Sequence, residues 1–159
     1  MLTKTKKTAL RARNGRFAIV ASEYNAEFVD SMLHAAEAEL KQAGAAVTVA
    51  RVPGAFEVPV VAARLARTKK FVSIICLGVI LRGETVHAQH IGDAVSAALM
   101  QIQVETEVPV IHEVLLLESR EQARVRCLDP GHNRGMEAAH TAIQMAAIMT
   151  GLKRSRTNT

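Results

Sequence analysis

Four short runs rich in apolar residues recur along the chain. They cover residues 17–21, 47–52, 71–80 and 110–117. Runs of this length without strict alternation of apolar and polar residues are typical of strands buried on both faces of a parallel sheet. The pattern therefore predicts four strands.

Between and after these runs, apolar residues recur with the spacing of a helix. The clearest case places Ile91, Val95 and Leu99 four positions apart, on the apolar stripe of an amphipathic helix. Turn residues such as Gly44 and Pro109 separate helices from the following strands. The predicted helices cover 28–40, 59–67, 89–105, 120–126 and 136–150.

Strands that alternate with helices predict an α/β fold, because a helix joining two parallel strands packs across one face of the sheet. We expect a three-layer α/β/α sandwich around a four-stranded parallel sheet. The chain has 159 residues, 49% of them hydrophobic, which suits one core. We expect a single domain over 16–152 between two basic tails, 1–15 and 153–159.

The positive charge of the chain is confined to its ends. The formal net charge is +5, but nine of the 20 Lys and Arg lie in residues 1–16 and 152–159. The remainder has 11 basic against 15 acidic residues and is itself acidic. Nucleic-acid binding is therefore not expected, because it would depend on the tails alone.

Neither a membrane segment nor a disulfide framework is visible. The longest apolar run, 74–81, is far shorter than the roughly 20 residues that cross a bilayer. Cys76 and Cys127 match neither paired disulfides nor a zinc site. We expect a soluble cytoplasmic protein with reduced thiols.

Ligands of a doubly wound parallel sheet bind beyond the carboxyl ends of its strands. The loops 22–25, 53–57 and 81–87 are expected there, together with His112 near the fourth strand. All of them carry polar or aromatic residues. These loops are therefore the candidate binding site.

Several common chemistries are excluded. The segment 78–85 has the outline of a P-loop, but Glu84 stands where triphosphate chemistry requires Lys. No glycine-rich dinucleotide motif follows the first strand, and no nucleophile elbow surrounds Ser22. His87 and His90 have no third metal ligand at a supporting spacing, so we expect no metal.

Thr85, at a helix N-terminus, suits a single phosphate. Four other side chains each have two interpretations from the sequence alone. His87 is an acid/base group or a solvated helix histidine. Glu57 binds a polyol or starts a helix, and Tyr24 is a stacking platform or a lid on the core. Arg126 binds phosphate or favours the C-terminus of its own helix.

These residues fall within or near four segments: 17–25 (FAIVASEYN), 51–59 (RVPGAFEVP), 78–87 (GVILRGETVH) and 132–139 (HNRGMEAA). In this order they resemble the 6,7-dimethyl-8-ribityllumazine synthase family, over residues 16–152. Any one segment would be a weak signal. Four collinear segments are highly specific.

The resemblance implies a flavodoxin-like fold and a transferase of riboflavin biosynthesis. Its reaction condenses 5-amino-6-(D-ribitylamino)uracil with 3,4-dihydroxy-2-butanone 4-phosphate to give 6,7-dimethyl-8-ribityllumazine, phosphate and water. Imine formation, phosphate loss and ring closure each move protons, which suits a histidine with an ordinary pKa of about 6.5. No metal or organic cofactor is implied.

Carried over by position, the resemblance also implies roles for single residues. Tyr24 would stack on the pyrimidine ring, and His87 would shuttle protons. Glu84 and Thr85 would donate to the phosphate, with Arg126 as its charge partner. Ala55, Phe56 and Glu57 would hold the ribityl chain, backbone groups of Val79, Ile80 and Leu81 the pyrimidine edge, and Asn25 and His112 further parts of the substrate.

Four positions depart from the family pattern. His112 stands where phenylalanine is usual, and Glu113 where a small residue is usual. Gln89 replaces a common acid, and Arg134 replaces a common lysine. The ring of His112 still allows stacking or a hydrogen bond to substrate.

The resemblance implies a homo-oligomer in which each site is completed across an interface, with His112 from the neighbour. The family contains pentamers and icosahedral shells of twelve pentamers, and the absence of an insertion in 127–135 favours the shell. Riboflavin synthase is a candidate partner. The alternative is a non-catalytic flavin- or pyrimidine-binding module or a structural shell protein of the same fold. The joint presence of Thr85, His87 and Arg126 argues against it.

Overall fold

A computed structural model describes residues 11, 12 and 14–155. Its sheet has four strands in the order β2-β1-β3-β4, and every neighbouring pair is parallel. The predicted α/β class is therefore confirmed. The strands are β1 (Arg16–Ser22), β2 (Ala46–Val52), β3 (Ser73–Leu81) and β4 (Val110–Leu117).

Helices cover both faces of this sheet. Helices α1 and α5 bury one set of side chains from the strands, and α2 and α3 bury the other set. The strands β1 and β3 are buried on both faces, which explains their continuous apolar sequences. The helices are α1 (Ala26–Gln42), α2 (Val58–Arg67), α3 (His87–Thr106), α4 (Arg120–Ala123) and α5 (Arg134–Ser155).

In place of the predicted helix 120–126, the structure has a shorter helix that is followed by a π-helical turn. Helix α4 ends at Ala123, and residues 124–128 form a π-helical turn. The carbonyl oxygen of Cys127 accepts hydrogen bonds from Ser31 Oγ at 2.7 Å and Asn133 Nδ2 at 2.6 Å. The bond from Ser31 holds the turn against α1, and neither bond can be predicted from hydrophobic periodicity.

The last helix is longer than predicted at both ends. It begins at Arg134, where Asn133 Oδ1 accepts a hydrogen bond from the N–H of Gly135 at 2.9 Å. It continues to Ser155, beyond the expected domain boundary at 152. Residues 1–10 and 13 of the N-terminal tail, and 156–159 of the C-terminal tail, lie outside the described residues.

Helices α1 and α5 approach each other closely at Gly135. A Cβ atom at this position would overlap the backbone carbonyl group of Met32 in α1. Backbone atoms cannot move aside without shifting the helix, so the contact requires glycine. The buried alanines 138, 139 and 142 continue the same face of α5.

We predict that Gly135→Ala lowers the free energy of unfolding by about 2–3 kcal/mol, because α5 must move away from α1. The matched control is Gly151→Ala in the same helix, where a Cβ meets nothing within 4 Å. That change should raise stability by about 0.5–1 kcal/mol through helix propensity. Denaturant unfolding of both variants measures the difference, and equal stabilities would refute the close contact.

Candidate active site

The candidate site lies at the carboxyl ends of β1 and β3, the two central strands of the sheet. Pairing between β1 and β3 ends at Ala21 and Leu77, whereas β3 stays paired with β4 as far as Leu81. In residues 78–81 the backbone edge on the side of β1 therefore has no neighbouring strand. This edge opens into a cavity of about 490 Å³. Its lining residues are Tyr24, Asn25, Ala55, Val79, Ile80, Leu81, Gly83, Thr85, His87, Ala88 and Ile91.

Asn25 joins the ends of β1 and β3 across this cavity. Its backbone is left-handed, with φ of 57°, a conformation that asparagine adopts more readily than most residues. Its side-chain Nδ2 donates a hydrogen bond to the carbonyl oxygen of Val79 at 2.7 Å. One carbonyl group of the open edge is thus engaged by the protein itself.

The first turn of α3 forms another wall. His87 is the first residue of α3 and is exposed. Its backbone N–H donates a long hydrogen bond of 3.4 Å to Thr85 Oγ1. The Thr85 hydroxyl and the His87 side chain therefore lie beside the positive end of a 20-residue helix.

Arg82 fixes the loop that precedes this helix. It donates from Nη2 to Gln89 Oε1 at 2.7 Å and from Nε to Glu118 Oε1 at 2.8 Å. Gln89 is one of the departures from the family pattern, and its amide in turn donates to Asp93 at 2.7 Å. Although Gln89 replaces the acid that is usual at this position, its side-chain oxygen still accepts a hydrogen bond from Arg82.

Two aromatic side chains lie in the loops around the cavity. Tyr24 lines it and is 73% exposed, and its backbone N–H donates to the carbonyl oxygen of Pro53 at 3.1 Å. The loop after β2 forms a 3₁₀ turn at Ala55–Glu57, which the sequence analysis did not predict. Ala55 lines the cavity, while Phe56 is 62% exposed beside it.

Eight of the predicted site residues line this one cavity, and five do not. Phe56, Glu57 and Glu84 are exposed in its neighbouring loops. Arg126 lines a separate cavity of about 400 Å³, together with His132 and Arg134. His112 lies on β4, with its Nε2 atom 2.7 Å from Ser96 Oγ on α3.

Three of the lining residues were not predicted as site residues from the sequence: Gly83, Ala88 and Ile91. Ala88 lies before the predicted start of the helix at 89, and a helix beginning at 87 would have included it. Ile91 was predicted as part of the apolar stripe of this helix and not as a site residue. Gly83 offered no chemical signal beyond its place in the loop.

Two departures from the family pattern, Glu113 and Arg134, form an ion pair. Arg134 Nε lies 3.1 Å from Glu113 Oε2, and its Nη1 lies 2.6 Å from Glu137 Oε2. Burial raises the pKa of Glu113 to about 7, although Arg134 and Arg126 act in the opposite direction. The two departures from the family pattern therefore form one matched pair, Glu113 on β4 and Arg134 at the start of α5.

Within residues 11, 12 and 14–155, no helix combines the length and apolar character needed to cross a membrane. The same residues contain no group of three His, Cys, Asp or Glu side chains positioned to hold a metal ion.

The structure is a flavodoxin-like α/β fold with a cavity at the switch point of its sheet. A model of the family described as 6,7-dimethyl-8-ribityllumazine synthase matches residues 14–150. The chain belongs to this family. It is accordingly a transferase of riboflavin biosynthesis, as the sequence predicted.

Curated relatives agree with this assignment. A protein of Xanthomonas oryzae pv. oryzae (strain PXO99A) is 39% identical over 143 residues, which are 88% of this chain and 93% of the relative. One of Stenotrophomonas maltophilia (strain R551-3) is 39% identical over 142 residues, covering 87% and 92%. Both bear the name 6,7-dimethyl-8-ribityllumazine synthase. The non-catalytic alternative is not favoured.

We predict that stability falls as the pH rises from about 4.5 to 7. Glu113 has an ordinary pKa of 4.5 and a folded pKa of about 7. In that window the folded chain keeps a proton that the unfolded chain has lost, so raising the pH favours unfolding by about 2–3 kcal/mol.

The Glu113→Gln variant should lose this dependence, because it cannot ionise. Denaturant unfolding at pH 5 and pH 8 measures the effect, with Glu121→Gln, an exposed acid on α4, as the control. A Glu113→Gln variant with the wild-type pH profile would contradict the assignment.

Proposed function

We propose that the chain forms 6,7-dimethyl-8-ribityllumazine in the cavity between the ends of β1 and β3. The observation that carries this proposal is the open backbone edge of residues 78–81 in the same cavity as Thr85 and His87. A strand edge offers alternating N–H and C=O groups. The edge of a pyrimidinedione offers the complementary donors and acceptors in one plane.

The ring and side chain of ribitylaminouracil would occupy opposite ends of the cavity. Tyr24 is exposed at its mouth, where an aromatic ring gains from stacking on a heterocycle. The polar ribityl chain would extend toward the 3₁₀ turn at 55–57. There Phe56 covers it and Glu57 accepts hydrogen bonds from its hydroxyl groups. Asn25 keeps the edge of β3 in place beneath the ring.

The phosphate of the second substrate would bind at the first turn of α3. Free backbone N–H groups at a helix N-terminus and the helix dipole both favour an anion. The Thr85 hydroxyl and the backbone N–H of Glu84 are additional donors. This position brings the carbon skeleton of dihydroxybutanone phosphate to the side chain of His87.

The protein's main contributions to the reaction are then to position the two substrates and to transfer protons. The pyrimidine amine attacks the ketone and water leaves to give an imine. Loss of a C–H proton and cleavage of the C–O bond to phosphate leave an enol, which tautomerises to a ketone. The ribitylamino nitrogen attacks this carbonyl group, and a second water leaves as the ring closes. His87 accepts and returns protons in these steps. Holding two reactive substrates together supplies much of the acceleration.

The cavity of one chain lacks two of the predicted contacts, since Arg126 and His112 lie elsewhere on the molecule. We propose that a neighbouring subunit supplies both, in a pentamer that assembles further into an icosahedral shell. The guanidinium group of the neighbour's Arg126 would complete the charge balance of the bound phosphate. Each subunit would then give one face to its own site and another to the next.

A cytoplasmic location and riboflavin synthase as a partner stay predictions from the sequence. The two cysteines are free and buried, which suits a reducing compartment.

Incubation of the protein with both substrates should produce the absorbance of a lumazine, without any added metal. His87→Ala should reduce kcat by about 10- to 100-fold, because a proton shuttle is lost but both substrates still bind. His90→Ala is the matched control, since this exposed histidine of the same helix does not line the cavity. Absence of product with the wild-type protein would refute the function, and an unchanged His87→Ala rate would refute the proton shuttle.

Mixed oligomers test whether Arg126 acts across an interface. Subunits carrying His87→Ala and subunits carrying Arg126→Ala should each be poorly active alone. Refolded together in equal amounts, they should recover about a quarter of the wild-type activity, because a cavity with His87 then meets a neighbour with Arg126 at that frequency in a head-to-tail ring. No recovery in co-assembled particles, sized by light scattering, would place Arg126 in its own chain's site.

A further inference from the structure

The ring of His112 is held by two hydrogen bonds at the free edge of the sheet. His112 lies on β4, the last strand in the order, and its Nε2 atom is 2.7 Å from Ser96 Oγ of α3. The backbone N–H of Val114 donates to His112 Nδ1 at 3.1 Å. Both ring nitrogens are therefore engaged within the chain.

This arrangement fixes the tautomer of the imidazole. Because Nδ1 accepts a hydrogen bond, it carries no proton, and the single proton of the neutral ring lies on Nε2. His112 Nε2 therefore donates to Ser96 Oγ. Burial lowers the pKa of His112, and protonation of Nδ1 would oppose the Val114 N–H, so both effects favour the neutral ring.

The same reasoning excludes a hydrolytic Ser–His pair at this place. A nucleophilic serine needs a neighbouring nitrogen that accepts its proton. The Nε2 atom of His112 already bears a proton, and Nδ1 is occupied by the backbone. The Ser96 hydroxyl is an acceptor in this pair, and its own proton is free to point to solvent.

We propose that Ser96 is a positioning residue that makes His112 a fixed stacking surface for the substrate in the neighbouring subunit. The inference rests on the proposed function, in which His112 reaches the site next to it. With both nitrogens engaged, the flat face of the ring is what remains for a planar heterocycle. Of the two contacts that the sequence left open for His112, this geometry selects stacking over a hydrogen bond.

A ring held in one plane binds a flat ligand better than a ring that must first stop rotating. His112 thereby does what an aromatic residue would do at this position, and Ser96 and the Val114 amide hold its polar nitrogens. Phenylalanine, the usual family residue, has no nitrogen to hold. The role of Ser96 therefore exists only as long as residue 112 is histidine.

Removal of the hydroxyl tests the role of Ser96. Ser96→Ala should raise the KM for ribitylaminouracil about 2- to 10-fold, the value of one hydrogen bond. Neither kcat nor the KM for dihydroxybutanone phosphate should change by more than about twofold, since the hydroxyl touches neither phosphate nor reacting atoms. Ser96→Thr, which restores the hydroxyl, should restore the KM. An unchanged KM in Ser96→Ala would overturn the proposal.

A second background separates positioning from packing. In His112→Phe protein, adding Ser96→Ala should leave the KM within about 1.5-fold of the His112→Phe value, because no ring nitrogen remains to be held. The same loss in both backgrounds would mean that Ser96 acts on the fold or on assembly, and would overturn the proposal.

Nitrogen NMR of histidine-labelled protein gives a readout that does not need activity. His112 should show a protonated Nε2 and an unprotonated Nδ1, and Ser96→Ala should shift the Nε2 resonance. A mixture of tautomers in the wild-type protein would overturn the inference. A fixed tautomer in a protein that makes no lumazine would instead show that the proposed function had failed.

Discussion

The unequal pairing of β3 underlies the rest of this structure. The strand is bonded to β1 only as far as Leu77 but to β4 as far as Leu81. A strand edge without a partner exposes backbone donors and acceptors that must be satisfied. Here the Asn25 amide takes the carbonyl group of Val79, and the rest of the edge faces a cavity. The end of β1 therefore determines where the open edge of β3 begins.

Charged side chains form a second set of contacts, between β4 and the start of α5. Arg134 lies between Glu113 and Glu137 and pairs with both, and Arg126 lines the same cavity as Arg134. Buried ion pairs gain little net stability once desolvation is counted. The Glu113–Arg134 pair is better understood as a link that joins β4 to the start of α5.

Much of the fold could be predicted because its strongest signals are local. The continuous apolar sequence of β3 and the periodic sequence of α3 each report burial directly. The π-helical turn at 124–128 could not be predicted, since the carbonyl oxygen of Cys127 is held by Ser31, a distant residue on α1, and by the side chain of Asn133. Of the candidate site, the residues that directly follow β1 and β3 were found, because the ends of parallel strands meet at one edge.

By itself the sequence determined the order of strands and helices, the family of the chain and most of the residues that line the cavity. Local periodicity and short collinear motifs are sufficient for these. Tertiary structure alone decided that Arg126 and His112 lie apart from that cavity. It also decided that Glu113 pairs with Arg134 and that Ser96 holds the ring of His112. Such pairings join different elements, so they depend on how strands and helices pack and leave no periodic trace along the chain.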